Sequence, residues 1–311
     1  MKRDVILWLD ESAYSESGVI GMSHQICINS ISGICYLPGG SCSAGAMLYP
    51  PFKSTELAGI TWGMVNSSNS VTIEALLLSF DLPDNSDRAW IVDFSRAIEL
   101  WGYLLRDWLA VLADGPTDHL WMIATKWVDK ELNRNVERFR YNEDHFHQPY
   151  LLSRWQWQHV LDYASSDTEP PIARNLMVKA ERAAIFGRTR EAVISAATAV
   201  EFAITTAIEE RLLELGTASE LIEIIFARTK MLGPRIELAK QLAIEMPDRI
   251  KPDLLSIRNS AVHSGRTISA DQAWAAIRIT REIVDKYEPL DANQDEVIQI
   301  YGSSNLDNGE V

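Results

Sequence analysis

Arg258, Asn259 and His263 place a permanent cation, an amide and a titratable imidazole on one short stretch, Ile257-Arg258-Asn259-Ser260-Ala261-Val262-His263. A guanidinium keeps its charge and offers a planar fork of donors, an amide donates and accepts, and an imidazole takes or gives a proton near neutrality. Those abilities suit phosphodiester chemistry. Leu254, Leu255, Ala261 and Val262 recur at helical spacing, which predicts an apolar stripe with Arg258 in its middle. An arginine there needs something anionic opposite it, either a carboxylate such as Glu201 or a bound phosphate, because its proton cannot be shed. Asn259 and His263 lie one turn apart. The arc from Arg258 through Val262 and Asn259 to His263 covers less than half of the helix circumference, so one phosphate could touch all three.

The spacing alone is inexpensive, and Arg140/His145 and Arg154/His159 repeat it. Those two copies sit among polar and aromatic residues and have no Asn after the Arg. Only Arg258/His263 has Leu254-Leu255 before it, Asn259 within it, Gly265 after it as a helix stop, and a capped amphipathic helix next. Arg followed by Asn, then His five positions after the Arg, inside a helical region, resembles the HEPN superfamily. The resemblance covers roughly residues 171 to 290, including the helix that carries Ala199-Val200-Glu201-Phe202. It implies a HEPN-like bundle and a metal-independent endoribonuclease, of the kind found in toxins and antiviral defence, with Arg258, Asn259 and His263 as catalytic residues and Glu201 in support. It also implies an RNA substrate, a homodimer through the helical domain with two sites meeting at the two-fold axis, and no cofactor. An inhibitory or regulatory protein partner fits the toxin comparison. The superfamily has members without nuclease activity, so the alternative is a catalytically silent nucleotide-binding or dimerisation module. In a purely structural version, Arg258 pairs with Glu201 and His263 is a helix-end cation favoured by the dipole.

Composition sets the outer limits. A chain of 311 residues with 47% hydrophobic and 23% charged residues can bury a proper core and build two domains. Acidic residues Asp4, Asp10 and Glu11 interrupt the apolar run Val5 to Leu9, which argues against a signal peptide, and the uncharged stretch from Ser17 to Phe52 is too rich in Gly, Ser, Pro and Asn to cross a membrane. Cytoplasmic residence and reduced Cys27, Cys35 and Cys42 are the corresponding expectations. The net charge of −14 opposes broad RNA affinity, but it is unevenly spread. Residues 1 to 170 carry 12 basic and 22 acidic side chains, residues 171 to 290 carry 17 and 16, and the tail from 291 has five acids and no base. A near-neutral nuclease region predicts weak or highly selective RNA binding.

The elements that must position the trio follow from periodicity. The run Ser165 to Pro171 ends in two prolines and predicts a boundary between an α+β sensor or docking domain, residues 1–165, and an all-α bundle, residues 171–290, followed by an acidic tail, residues 291–311. Helices are predicted over Ile172 to Phe186, Arg190 to Leu215, Ala218 to Arg228 and Pro234 to Glu245. Pro252 then opens the motif helix, and Ser269-Ala270-Asp271-Gln272 forms a capping box for the last one. Strands are predicted over Val5 to Leu9, Ile26 to Tyr36, Val71 to Phe80 and His119 to Trp127, with a helix over Ala89 to Leu112.

Other chemistry-bearing residues are weaker candidates. Trp155 and Trp157 beside Arg154 could stack on bases, but core is the favoured reading for the tryptophans, since Trp101, Trp108 and their neighbours recur at helical spacing. His24, Cys27, Cys35 and Cys42, and His145-x-His147, have zinc-ligand types without a compact ligand spacing. Gly40 to Gly45 lacks the first glycine of a nucleophile elbow.

Overall fold

The computed structural model describes residues 2–50, 62–82, 88–112, 123–127, 151–263 and 266–290. The chain divides into two compact units, Met1–Pro170 and Pro171–Val311. The first is an antiparallel sheet with helices, the second is helical.

In the first unit, β1 (Lys2–Glu16) and β6 (Ser70–Asp81) are long partners, in register from Lys2 opposite Asp81 to Glu16 opposite Ser70, with a shift between Trp8 and Ala13. The predicted strand Ile26 to Tyr36 is in fact two, β2 (Ser23–Ile28) and β3 (Ile31–Tyr36). Asn29 and Ser30 both take positive φ, 48° and 64°, which is the conformation a tight hairpin demands. With β7 (Ile123–Trp127) the order is β2-β3-β6-β1-β7, and β4 (Met47–Leu48) and β5 (Gly63–Ser67) extend the far end of β6. Residues 119–122 of the predicted last strand lie outside the described residues. The helix α1 (Arg88–Leu112) meets the sheet where Phe94 stands edge-on to Phe80, centroids 5.1 Å apart.

One helix was not anticipated from the sequence. The helix α2 (Arg154–Ser165) starts at a capping box in which Ser153 accepts from Gln156 N–H and the Gln156 side chain returns to Ser153 N–H. Trp157 is fully buried and its indole donates to Ser15 Oγ at 2.8 Å, so it is core rather than a stacking platform. Trp155 packs on the His159 ring at 3.9 Å.

The second unit contains α3 (Ile172–Ile185), α4 (Thr189–Glu214), α5 (Ser219–Arg228), α6 (Leu232–Gln241), α7 (Ser256–His263) and α8 (Ala270–Tyr287), six α-helices among the described residues. A π-helical turn, Lys251–Leu255, leads into α7, and its last bond runs from Ser256 N–H to Lys251 O. The helix α4 is the axis. Ala192, Ala196, Ala197, Ala199, Ala203 and Ala207 are buried on it between Val193, Val200, Ile204 and Ile208, which lets neighbouring backbones come close. It is long and apolar enough to cross a membrane by length and composition, but 56% of its most apolar window is buried inside the structure, as suits a core helix. The helix α6 stops earlier than predicted, with Ala243 at φ 56° ending the turn. Ser269 and Gln272 form the expected capping box of α8, and Ala273, Ile277, Thr280 and Val284 are buried along its inner face.

Two glycines are demanded by close approach. A Cβ on Gly33 would lie 2.4 Å from the Phe80 ring, and one on Gly63, whose φ is +150°, would lie 1.9 Å from Thr72 O. Gly63→Ala is therefore expected to lower stability by about 2–4 kcal/mol through strain and displaced β6 backbone, read as a shifted urea midpoint. At the end of α8, burial pushes the Glu288 carboxyl above its ordinary value of 4.5, while the Thr206 hydroxyl and Arg174 pull it back and Glu210 adds to the rise. Folded protein then holds that proton to higher pH than unfolded chain, so stability falls as pH rises from 4.5 through the raised value. Urea midpoints measured across that interval should decline less in Glu288→Gln than in the parent.

Candidate functional site

The π-helical turn buries Leu254 and α7 buries Ile257 and Ala261, which together continue a 4-3-4 run from Ile250. The centre of its apolar stripe is thus Ile257, not Arg258. Leu255 is half-buried and packs against the core, but Val262 is 43% exposed and lies on the outer side. Arg258 is half-buried at the margin, and Asn259 and His263 face solvent. The physical reason is simple. An isoleucine one position before the arginine competes for the same core, and burying it is favourable where burying a guanidinium is costly.

Geometry brings Arg258 and Asn259 together. Arg258 Nη1 donates to Asn259 Oδ1 at 3.3 Å. That bond takes one lone pair of the amide oxygen and leaves the NH₂ group to donate, as a phosphate requires. His263 is the last residue of α7, one turn beyond Asn259, where Cβ atoms on the same face are about 5–6 Å apart. Gly265, read as the helix stop, lies outside the described residues.

Glu201 is placed elsewhere. Its carboxylate pairs with Arg235 at 3.2 Å, and Arg235 also donates to Thr205 Oγ1 at 2.6 Å and to Thr229 O at 3.0 Å while lying over the Phe226 ring. Arg258 has no carboxylate within ion-pair distance among the described residues. No family model, no curated protein and no solved structure matches this chain.

Two positioning contacts escaped the sequence reading. Arg190 Nε, in the first turn of α4, donates to Ala261 O at 2.7 Å, one of the terminal carbonyls that α7 cannot satisfy internally. Its neighbour Thr189 donates through Oγ1 to Ile268 O at 2.8 Å. Seventy-one residues separate Arg190 from Ala261, so no local pattern reports the contact. One signal was present: Arg190 stands in the first turn of a helix, where the dipole favours acids, and its Nε turns to another segment, whereas Arg188 pairs with Glu191 of the same turn at 3.1 Å.

The weaker candidates have ordinary places. His24 Nε2 meets Asp162 Oδ1 at 2.7 Å. Cys27, Cys35 and Cys42 are free, and burial drives the Cys35 thiol far above its ordinary range, which keeps it protonated and unreactive. His145 and His147, Arg140 and the tail from 291 lie outside the described residues.

Because Arg258 sits at the margin without a carboxylate partner, Arg258→Ala should change stability by less than about 0.5 kcal/mol. Arg235→Ala strands Glu201 and two hydrogen-bond acceptors and should cost about 1–3 kcal/mol. Equal urea midpoints for the two variants would contradict this division of roles.

Proposed function

We propose that the chain is a metal-independent endoribonuclease of HEPN type, cutting single-stranded or looped RNA as a homodimer formed through its helical unit. The observation that carries this reading is the set on α7: an arginine without a carboxylate partner among the described residues, an exposed amide that accepts from it and keeps its NH₂ to donate, and an exposed imidazole at the helix end. A bundle that pairs Arg174, Arg235 and Arg281 with acids yet leaves Arg258 to an amide has a cation available for an anionic ligand.

In this mechanism the RNA 2′-hydroxyl attacks its own adjacent phosphorus and the bond to the 5′-oxygen breaks. His263 takes the 2′-hydroxyl proton, and the partner's His263 gives a proton to the departing 5′-oxygen. Arg258 balances the charge that builds on the nonbridging oxygens, and the Asn259 NH₂ orients them. The products are a 2′,3′-cyclic phosphate and a 5′-hydroxyl. Toxin or antiviral-defence use, restrained by a regulatory partner, fits a nuclease whose RNA binding is weak or highly selective. A catalytically silent nucleotide-binding or dimerisation module is the second reading, favoured by the net charge of −14.

His263→Ala and Arg258→Ala should each abolish RNA cleavage while the far-ultraviolet dichroism stays that of the parent, and cleavage by the parent should survive excess EDTA. His159→Ala is the internal control, since its ring packs on Trp155 in the first unit, and it should cleave at the parental rate. A parent that cuts no RNA, or a His263→Ala that cuts as well as the parent, gives the silent reading its place.

A further inference from the structure

The last turn of α7 and the residue before Ser269, the cap of α8, are each held by one of two consecutive residues of α4. Arg190 Nε reaches Ala261 O at 2.7 Å and Thr189 Oγ1 reaches Ile268 O at 2.8 Å. Between those two carbonyls lies the segment that begins with Val262 and His263. Both its ends are referred to one long core element, since α4 has 26 residues with eleven of them buried, whereas α7 has eight residues and only Ile257 and Ala261 buried within it. A helix that short has little intrinsic stability and frays at its end. His263 is that end.

We infer that Arg190 is a positioning residue for His263: its guanidinium caps the last turn of α7 and fixes where the imidazole stands relative to Arg258 and Asn259. A charge-assisted hydrogen bond to a carbonyl is stronger than a neutral one and is directional, so it resists both fraying and rotation of the turn. Thr189 performs the same service on the far side, with a neutral donor. Arg190, which opposes the dipole preference of the first turn of α4, is explained by its partner on another helix. The inference rests on the nuclease reading only for its kinetic consequence. The clasp itself is a property of the fold.

The test has two arms on the full-length chain. Amide hydrogen exchange followed by NMR should show Ala261, Val262 and His263 exchanging about tenfold faster in Arg190→Ala than in the parent, with the thermal midpoint nearly unchanged, because one charge-assisted bond is lost locally. Arg190→Lys, which keeps a charged donor of similar reach, should restore most of the protection, as a merely space-filling side chain would not. On an RNA substrate, Arg190→Ala should lose about tenfold in kcat with KM changed less than about twofold, and Arg190→Lys should recover most of it. Unchanged exchange at those amides overturns the inference. So does a raised KM at constant kcat, which would make Arg190 an RNA contact instead. A parent without cleavage ends the nuclease reading but leaves the exchange arm to decide the clasp.

Discussion

Close packing around α4 is the constraint on which the helical unit depends. Two helices can approach within about 8–10 Å only when the side chains between them allow it, and α4 meets α3 and α8 along much of its length. Its buried surface is accordingly rich in alanine. The same closeness lets the Thr280 hydroxyl, fully buried on α8, reach Ala196 O across the interface at 3.3 Å as well as Ala276 O in its own helix at 2.9 Å. With α4 fixed, its first turn becomes a reference point for the end of α7, and the position of His263 follows from packing many residues away.

Charge is distributed by the same logic. Glu181 is almost wholly buried and meets Arg281, Arg174 is almost wholly buried and meets Asp285 and the Glu288 carbonyl, and Arg235 closes on Glu201. Each partly buried cation in that set has an acid, because leaving one unmatched would cost several kcal/mol. Arg258 escapes the requirement by sitting at the edge of its helix, where water can reach it. An arginine placed there contributes little to folding and is free to serve an anion.

Much of the architecture was legible in periodicity. The stripes of α4 and α8 reflect burial on one face and the continuous apolar runs of β1 and β6 burial on both, and burial is what residue type reports most directly. The proline pair Pro170-Pro171 stands where the two units part. The phase of α7 was harder, because Leu254, Leu255, Ile257, Ala261 and Val262 offer more apolar residues than one face can hold, and only the neighbouring helices decide which are buried. The hairpin at Asn29-Ser30 lacked the glycine that usually marks such a turn, and α2 was hidden by tryptophans whose strand-like and helix-like roles look alike in sequence. Contacts such as Arg190 to Ala261 join distant segments through a single bond, and nothing in local composition encodes them.

The alanine-lined axis has a consequence for how the sequence can drift. In an ordinary core, trimming a side chain and enlarging it are comparably harmful, since one leaves a void and the other a clash. At Ala196 or Ala203 there is almost nothing to trim, so every substitution except glycine adds volume at a position that is already fully buried. Change is thereby channelled outward, to the exposed margin of the bundle. The surface that carries Asn259, Val262 and His263 can be rewritten for a new ligand while the interior tolerates almost no edits.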